Sequence, residues 1–191
     1  MYARSTTFVT SNILAAPMLG CRATRRRGER RFFPGLKAGV FTPQNSMTDV
    51  VPSGQGHLLT ARGNVMAFKA VAAQTGGDFS LMERTVPPGA RTPPPHRHIN
   101  CSEAFFVLAG TITFALDDAE LTGGPGDFLL VPRGAGHTFG NRGDEPARLL
   151  VLHAPAMDAY FEELHRLWAG GQPPEREAER ELMSRYGMEP A

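Results

Sequence analysis

Two stretches decide the reading of this chain: residues 89–110, GARTPPPHRHINCSEAFFVLAG, and residues 126–141, GDFLLVPRGAGHTFGN. In the first, His96 and His98 are two residues apart, so on an extended strand both imidazoles point to one face. A lone His-x-His pair arises easily by chance. Here Glu103 follows the polar turn Asn100-Cys101-Ser102, which can fold the next strand back beside the first. A third histidine, His137, opens a later strand in the second stretch. Three neutral imidazoles and one carboxylate form a borderline-hard donor set suited to one divalent transition metal: iron, manganese, nickel, cobalt, copper or zinc.

Outward from these stretches the chain reads as short strands separated by glycine, proline and acidic turns, the signature of an all-β barrel or sandwich. Strands are expected over 57–62, 64–70, 78–86, 103–108, 111–116, 127–131, 137–139 and 147–153. Pro93-Pro94-Pro95 makes the loop before His96 rigid, because proline fixes φ and cannot donate to a ladder. After Pro155 the period changes. Tyr160, Phe161, Leu164, Leu167 and Trp168 have the spacing of an amphipathic helix face, expected to pack on the barrel wall. Residues 175–185 read as a second, highly charged helix with a solvated surface, ending at Gly187.

The two stretches resemble the paired motifs of the cupin superfamily. The first motif is glycine, histidine-x-histidine, three or four residues, glutamate, six residues, glycine. Gly89, His96, His98, Glu103 and Gly110 supply it, with six residues between Gly89 and His96 where the family usually has five. The second is glycine, five residues, proline-x-glycine, two residues, histidine, three residues, asparagine. Gly126, Pro132, Gly134, His137 and Asn141 match it throughout. The resemblance implies an all-β fold, a single double-stranded β-helix (jelly-roll) barrel followed by C-terminal α-helices. It also implies that His96, His98, Glu103 and His137 are the metal ligands. The expected organisation is a basic extension over 1–46, a barrel over 47–155 and a helical segment over 156–191.

Other residues admit two readings. Phe105, Phe114, Phe128, Phe139, Met66 and Met82 can line an apolar substrate pocket, although such residues on barrel strands more often form plain core. Cys101, between ligands, reads as a buried or half-buried thiol. His153 alternates with Leu149 and Val151 and reads as a satisfied inward histidine. His57 and His165 read as surface residues. Arg84 and Arg91 are weaker candidates for meeting an anionic substrate.

Composition narrows the classes. The 191-residue chain has a net charge of +1 that hides an asymmetry. Residues 1–46 carry eight basic residues against Glu29 alone, leaving twelve basic and eighteen acidic residues in the remainder. So acidic a body is a poor binder of a phosphate backbone, and nucleic-acid partners are not expected. No apolar run approaches the ~20 residues of a membrane span, and no membrane association is expected. The basic segment resembles an organellar transit sequence in composition, but an unstructured extension, with Met47 as the natural initiator, is the favoured reading. Two cysteines in unlike contexts do not form a disulfide framework, and the expected location is cytoplasmic.

Within the superfamily the layout looks like the small single-domain cupins of the quercetin dioxygenase-like type. That likeness implies a metal-dependent oxygenase acting on a small enol, phenol or polyketide-like aromatic, with Glu103 as a ligand that also takes the phenolic proton. The alternatives are a redox-neutral metal cupin (a cyclase, isomerase, lyase or decarboxylase) and a non-catalytic ligand-binding cupin. A homodimer is expected, because pairing subunits buries exposed edge strands.

Overall fold

The computed structural model describes residues 50–170 and 172–191. The expectation for the basic segment 1–46 lies outside the described residues. In chain order the elements are β1 His57–Ala61, β2 Asn64–Ala70, α1 Ala72–Thr75, β3 Ser80–Val86, β4 His96–His98, β5 Ser102–Ala109, β6 Ile112–Leu116, β7 Glu120–Gly123, β8 Phe128–Val131, β9 Gly136–Gly140, β10 Ala147–Ala154, α2 Asp158–Trp168, α3 Arg176–Arg185 and β11 Met188–Pro190. A six-stranded sheet runs β1-β2-β3-β10-β5-β8 and a five-stranded sheet runs β11-β4-β9-β6-β7. All pairings are antiparallel. This is the jelly-roll barrel that the sequence implied.

Alternation along the strands decides what lies between the sheets. β10 buries Ala147, Leu149, Val151 and His153, while β5 buries Glu103, Phe105 and Val107. Met66 and Phe68 from β2, Met82 and Val86 from β3, and Phe114 and Phe139 from β6 and β9 complete the core. A buried leucine or phenylalanine contributes roughly 1.5–3 kcal/mol through the apolar surface it removes from water. Phe105 meets Phe114 and Phe139 at centroid separations of 5.0 Å each, an aromatic layer across the barrel. Phe128 is the exception among the expected inward residues. It is 64% exposed, because β8 pairs Phe128 with the outward Phe106 and turns Val131 inward opposite Glu103.

Turn chemistry fixes the register. β1 and β2 are joined by Arg62 and Gly63, both at positive φ (55° and 76°), as the mirror-image hairpin turns require. At Gly110 (φ 70°) an added Cβ would lie 2.6 Å from the Pro146 carbonyl oxygen, so only glycine fits the β5–β6 turn. Asn141 donates to the carbonyls of Val86 and Glu145 at 2.9 and 2.7 Å and accepts from the Gly143 N–H at 2.9 Å, satisfying the backbone of the loop before β10.

The C-terminal segment does more than the sequence reading assigned to it. As expected, α2 buries Tyr160, Phe161 and Leu164, and His165 fastens it to β1 by donating from Nδ1 to the Thr60 carbonyl at 2.9 Å. His57 is exposed and bonded to Glu162. The charged rows of α3 are exposed, but its other face buries Glu179, Leu182 and Met183. The chain then forms β11, a strand absent from the expected helical segment. β11 pairs with β4 in the register Met188↔His98 and Pro190↔His96, covering the outer edge of the His-x-His strand. No helix among the described residues is long and apolar enough to cross a membrane.

Candidate metal centre

The two facing sheets each contribute part of one cluster. β4 alternates, so His96 and His98 turn inward and Arg97 turns out toward Asp117. β9 sets His137 directly opposite His96 in the ladder. From the other sheet, β5 points Glu103 inward, and β10 places His153 opposite it. His96, His98, Glu103 and His137 are each at most 6% exposed, and one donor atom from each lies within 4.8 Å of every other. The four residues singled out from the sequence therefore converge on one point, and the cluster can hold a metal ion.

The donor chemistry fits a cation. His96 Nδ1 donates to the Pro94 carbonyl at 2.8 Å, and His137 Nδ1 donates to the Ala135 carbonyl at 3.4 Å. Each ring thus carries its proton on the outer nitrogen and turns the Nε2 lone pair inward, the arrangement by which second partners orient metal-binding histidines. Inside, His96 Nε2 lies 3.3 Å from His98 Nε2, which lies 3.2 Å from Glu103 Oε2; His137 Nε2 lies 2.8 Å from the same oxygen. Donors at right angles about one ion, each about 2.1 Å from it, stand about 3 Å apart. The observed separations match that spacing.

Electrostatics set a neutral His96 beside an ionised Glu103. Burial, reinforced by the nearby His137, drives His96 down to about 3, so it is neutral at physiological pH. Burial alone would raise the Glu103 carboxyl, but the surrounding His153, His137 and His98 hold it well below the usual carboxylate range. Burial lowers His137 too, yet its contact with Glu103 outweighs this and raises it.

Three neighbours were underweighted by the sequence reading. His153, expected to be a satisfied barrel histidine, reaches the cluster: its Nε2 lies 3.0 Å from Glu103 Oε1, while its Nδ1 is buried without a hydrogen-bond partner among the described residues. Arg84, at the centre of β3, points into the barrel with its guanidinium 4.8 Å above the Phe139 ring. Arg62 lies beside it, paired with Glu179. The space at the cluster is lined by these two arginines, Tyr160, Phe139, Phe161 and Met188, together with four of the histidine and glutamate side chains. The lining combines apolar surface with charged side chains. Of the aromatic and methionine candidates only Phe139 lines it; Phe105, Phe114, Met66 and Met82 are core. Alternation along β3 and β10 was the available signal for Arg84 and His153. Arg91 belongs elsewhere: it stacks over Trp168 and lies 3.7 Å from Glu179. Cys101 is a buried thiol, donating to the Ser102 carbonyl, and burial pushes it up to about 11.

Fold and cluster together define a jelly-roll barrel with a buried His/Glu cluster between its sheets. In keeping with this, residues 82–153 match the cupin domain family, which supports a place for the chain in the cupin superfamily. Over 97 residues the chain is 31% identical to quercetin 2,3-dioxygenase of Bacillus subtilis (strain 168), a match covering 51% of this chain and 28% of that enzyme. The chain thus spans under a third of the length of that curated relative. Among solved structures, KdgF from Halomonas sp. superposes with a TM-score of 0.50 at 16% identity, covering 58% of this chain and 98% of that one. A predicted oxalate decarboxylase from Thermotoga maritima superposes with a TM-score of 0.50 at 20% identity, covering 56% and 99%. At these identities the two structures show the fold alone.

Proposed function

We propose that this protein is a metal-dependent oxygenase of the quercetin dioxygenase-like type, acting on a small enol, phenol or polyketide-like aromatic. The observation that carries the reading is the convergence of His96, His98, Glu103 and His137 on one point between the sheets. His96, His98, Glu103 and His137 would hold one divalent transition metal. When bound, such an ion supplies Lewis acidity that makes an enol or phenol easier to deprotonate, and a place for dioxygen. Glu103 is the acceptor for that proton. Its Oε1 faces His153, so the proton has a second carrier within hydrogen-bond distance. The aromatic layer of Phe105, Phe114 and Phe139 excludes water from the barrel side of the site.

The redox-neutral reading is favoured by a different observation. The Glu103–His153 contact and the arginines in the cavity suit movement of a proton on a charged substrate without oxygen. Oxygen uptake by the metal-loaded protein separates the two. The oxygenase reading expects uptake in step with loss of an enol or phenol. Isomerisation, ring closure or decarboxylation with no uptake favours the alternative, and binding without chemical change in any compound tried favours a ligand-binding cupin.

A homodimer is the expected assembly. β8 is the edge of the six-stranded sheet, and its outer face carries Phe128 and Leu130, 64% and 55% exposed, next to Phe106. An apolar edge of this kind is a surface that proteins usually cover. Light scattering at micromolar concentration should give twice the chain mass, and Phe128→Lys should lower it; a monomer mass for the native chain contradicts the expectation.

A further inference from the structure

We propose that Arg84 anchors the carboxylate of a small substrate, holding it in the cavity beside the His96/His98/Glu103/His137 cluster. Arg84 is 3% exposed and lies in the barrel interior on the same face of β3 as Met82 and Val86. Its Nε is buried without a hydrogen-bond partner, and the guanidinium forms no ion pair among the described residues. Buried charges are otherwise paired, because removal from water without a partner is severely unfavourable. The neighbouring Arg62 shows the paired case: its Nε donates to Glu179 at 3.3 Å and its Nη2 to the Tyr160 hydroxyl at 3.2 Å. Two arginines thus line one space, and among the described residues only Arg62 has its anion.

Glu103 is the carboxylate whose charge Arg84 feels, but it lies outside ion-pair contact and is already surrounded by His98, His137 and His153. The inference rests on the reading that the cluster holds a divalent cation. Glu103 is then committed to that ion, and the missing counter-charge must come from the ligand. The Arg84 guanidinium carbon lies 4.8 Å from the Phe139 ring centroid, a cation–π contact that helps hold the guanidinium in place. That planar fork matches a planar carboxylate, which can accept two parallel hydrogen bonds. A phosphate fits less well, since a tetrahedral dianion calls for several cationic donors and Arg62 is occupied. The close lining of buried side chains limits the ligand to a small molecule. The substrate class is therefore a small carboxylate, which for the reaction proposed above means an enol or phenol that also bears a carboxylate group.

The test is calorimetric titration of the full-length protein, metal-loaded and metal-stripped, with acetate, pyruvate and benzoate. Each is paired with its neutral amide, and inorganic phosphate is a separate arm. The expected result is that at least one carboxylate binds the native protein about tenfold or more tightly than its amide. Arg84→Met should abolish that preference and Arg84→Lys should keep part of it, with metal content unchanged in both. Absence of any carboxylate preference in the native protein overturns the proposal, as does an undiminished preference in Arg84→Met. Phosphate binding as tightly as the best carboxylate also overturns it. Should Arg84→Met fail to fold, the native carboxylate–amide comparison and Arg84→Lys decide alone. Failure to take up metal, with an Arg84-dependent preference intact, contradicts the metal reading and spares this one. One ion per chain with no preference does the reverse.

Discussion

Glu103→Gln is expected to lower turnover by about 10²–10⁴-fold, the usual effect of losing a general base, while leaving most of the metal in place. The glutamine keeps a carbonyl oxygen that can face a cation, and it is close in shape to the native side chain. Its amide cannot accept a proton at neutral pH. The native carboxyl is held well below the ordinary range by His153, His137 and His98, despite burial that would raise it, so it is ionised and ready to accept. The same depression makes it a weak base toward a free phenol. Transfer therefore depends on the substrate's acidity rising in the site, and a neutral amide in place of Glu103 removes the acceptor altogether. The comparison is metal content and oxygen uptake, or product formation, for the native protein and the variant with one phenolic substrate. Near-normal turnover with normal metal content would make Glu103 a ligand only.

Glu179→Ala is expected to destabilise the fold by about 3–5 kcal/mol, the range found when one partner of a buried ion pair is removed. Glu179 is fully buried on α3. It accepts from Arg62 Nε at 3.3 Å and from Trp168 Nε1 at 2.7 Å, and Arg91 stands 3.7 Å away. Without it, Arg62 keeps its charge in an interior where it is 3% exposed, on a residue already in the left-handed conformation. The contact ties α3 to the β1–β2 turn, and α3 leads directly into β11, which covers the edge of β4. Loss of stability should therefore carry a loss of metal affinity. Denaturant unfolding followed by circular dichroism measures the first; a change under about 1 kcal/mol would show that the pair is not what fastens α3.

Much of this was legible from local pattern. Short runs between glycine, proline and acidic turns located eight of the strands to within a residue or two, and the resemblance of residues 89–110 and 126–141 to the paired cupin motifs implied the cluster of His96, His98, Glu103 and His137. What escaped depends on partners distant in sequence. β7 is three exposed residues and a glycine, defined only by its ladder with β6. β11 is three residues ending in a proline, and it exists because β4 offers it an edge. Glu179 looked like one more charge on a solvated helix, since nothing near it in sequence shows that Arg62, 117 residues away, lies against it. His153 and Arg84 had the parity of inward residues. That parity alone gives neither the contact with Glu103 nor the unpaired guanidinium.

The central claim is that His96, His98, Glu103 and His137 form one metal site, and elemental analysis addresses it most directly. Full-length protein, as isolated and after loading with each candidate ion, should contain about one transition-metal ion per chain. The His96→Ala, His98→Ala double variant removes two donors from one strand and should fall sharply in occupancy, with its circular dichroism unchanged. Full metal content in the folded double variant would contradict the account.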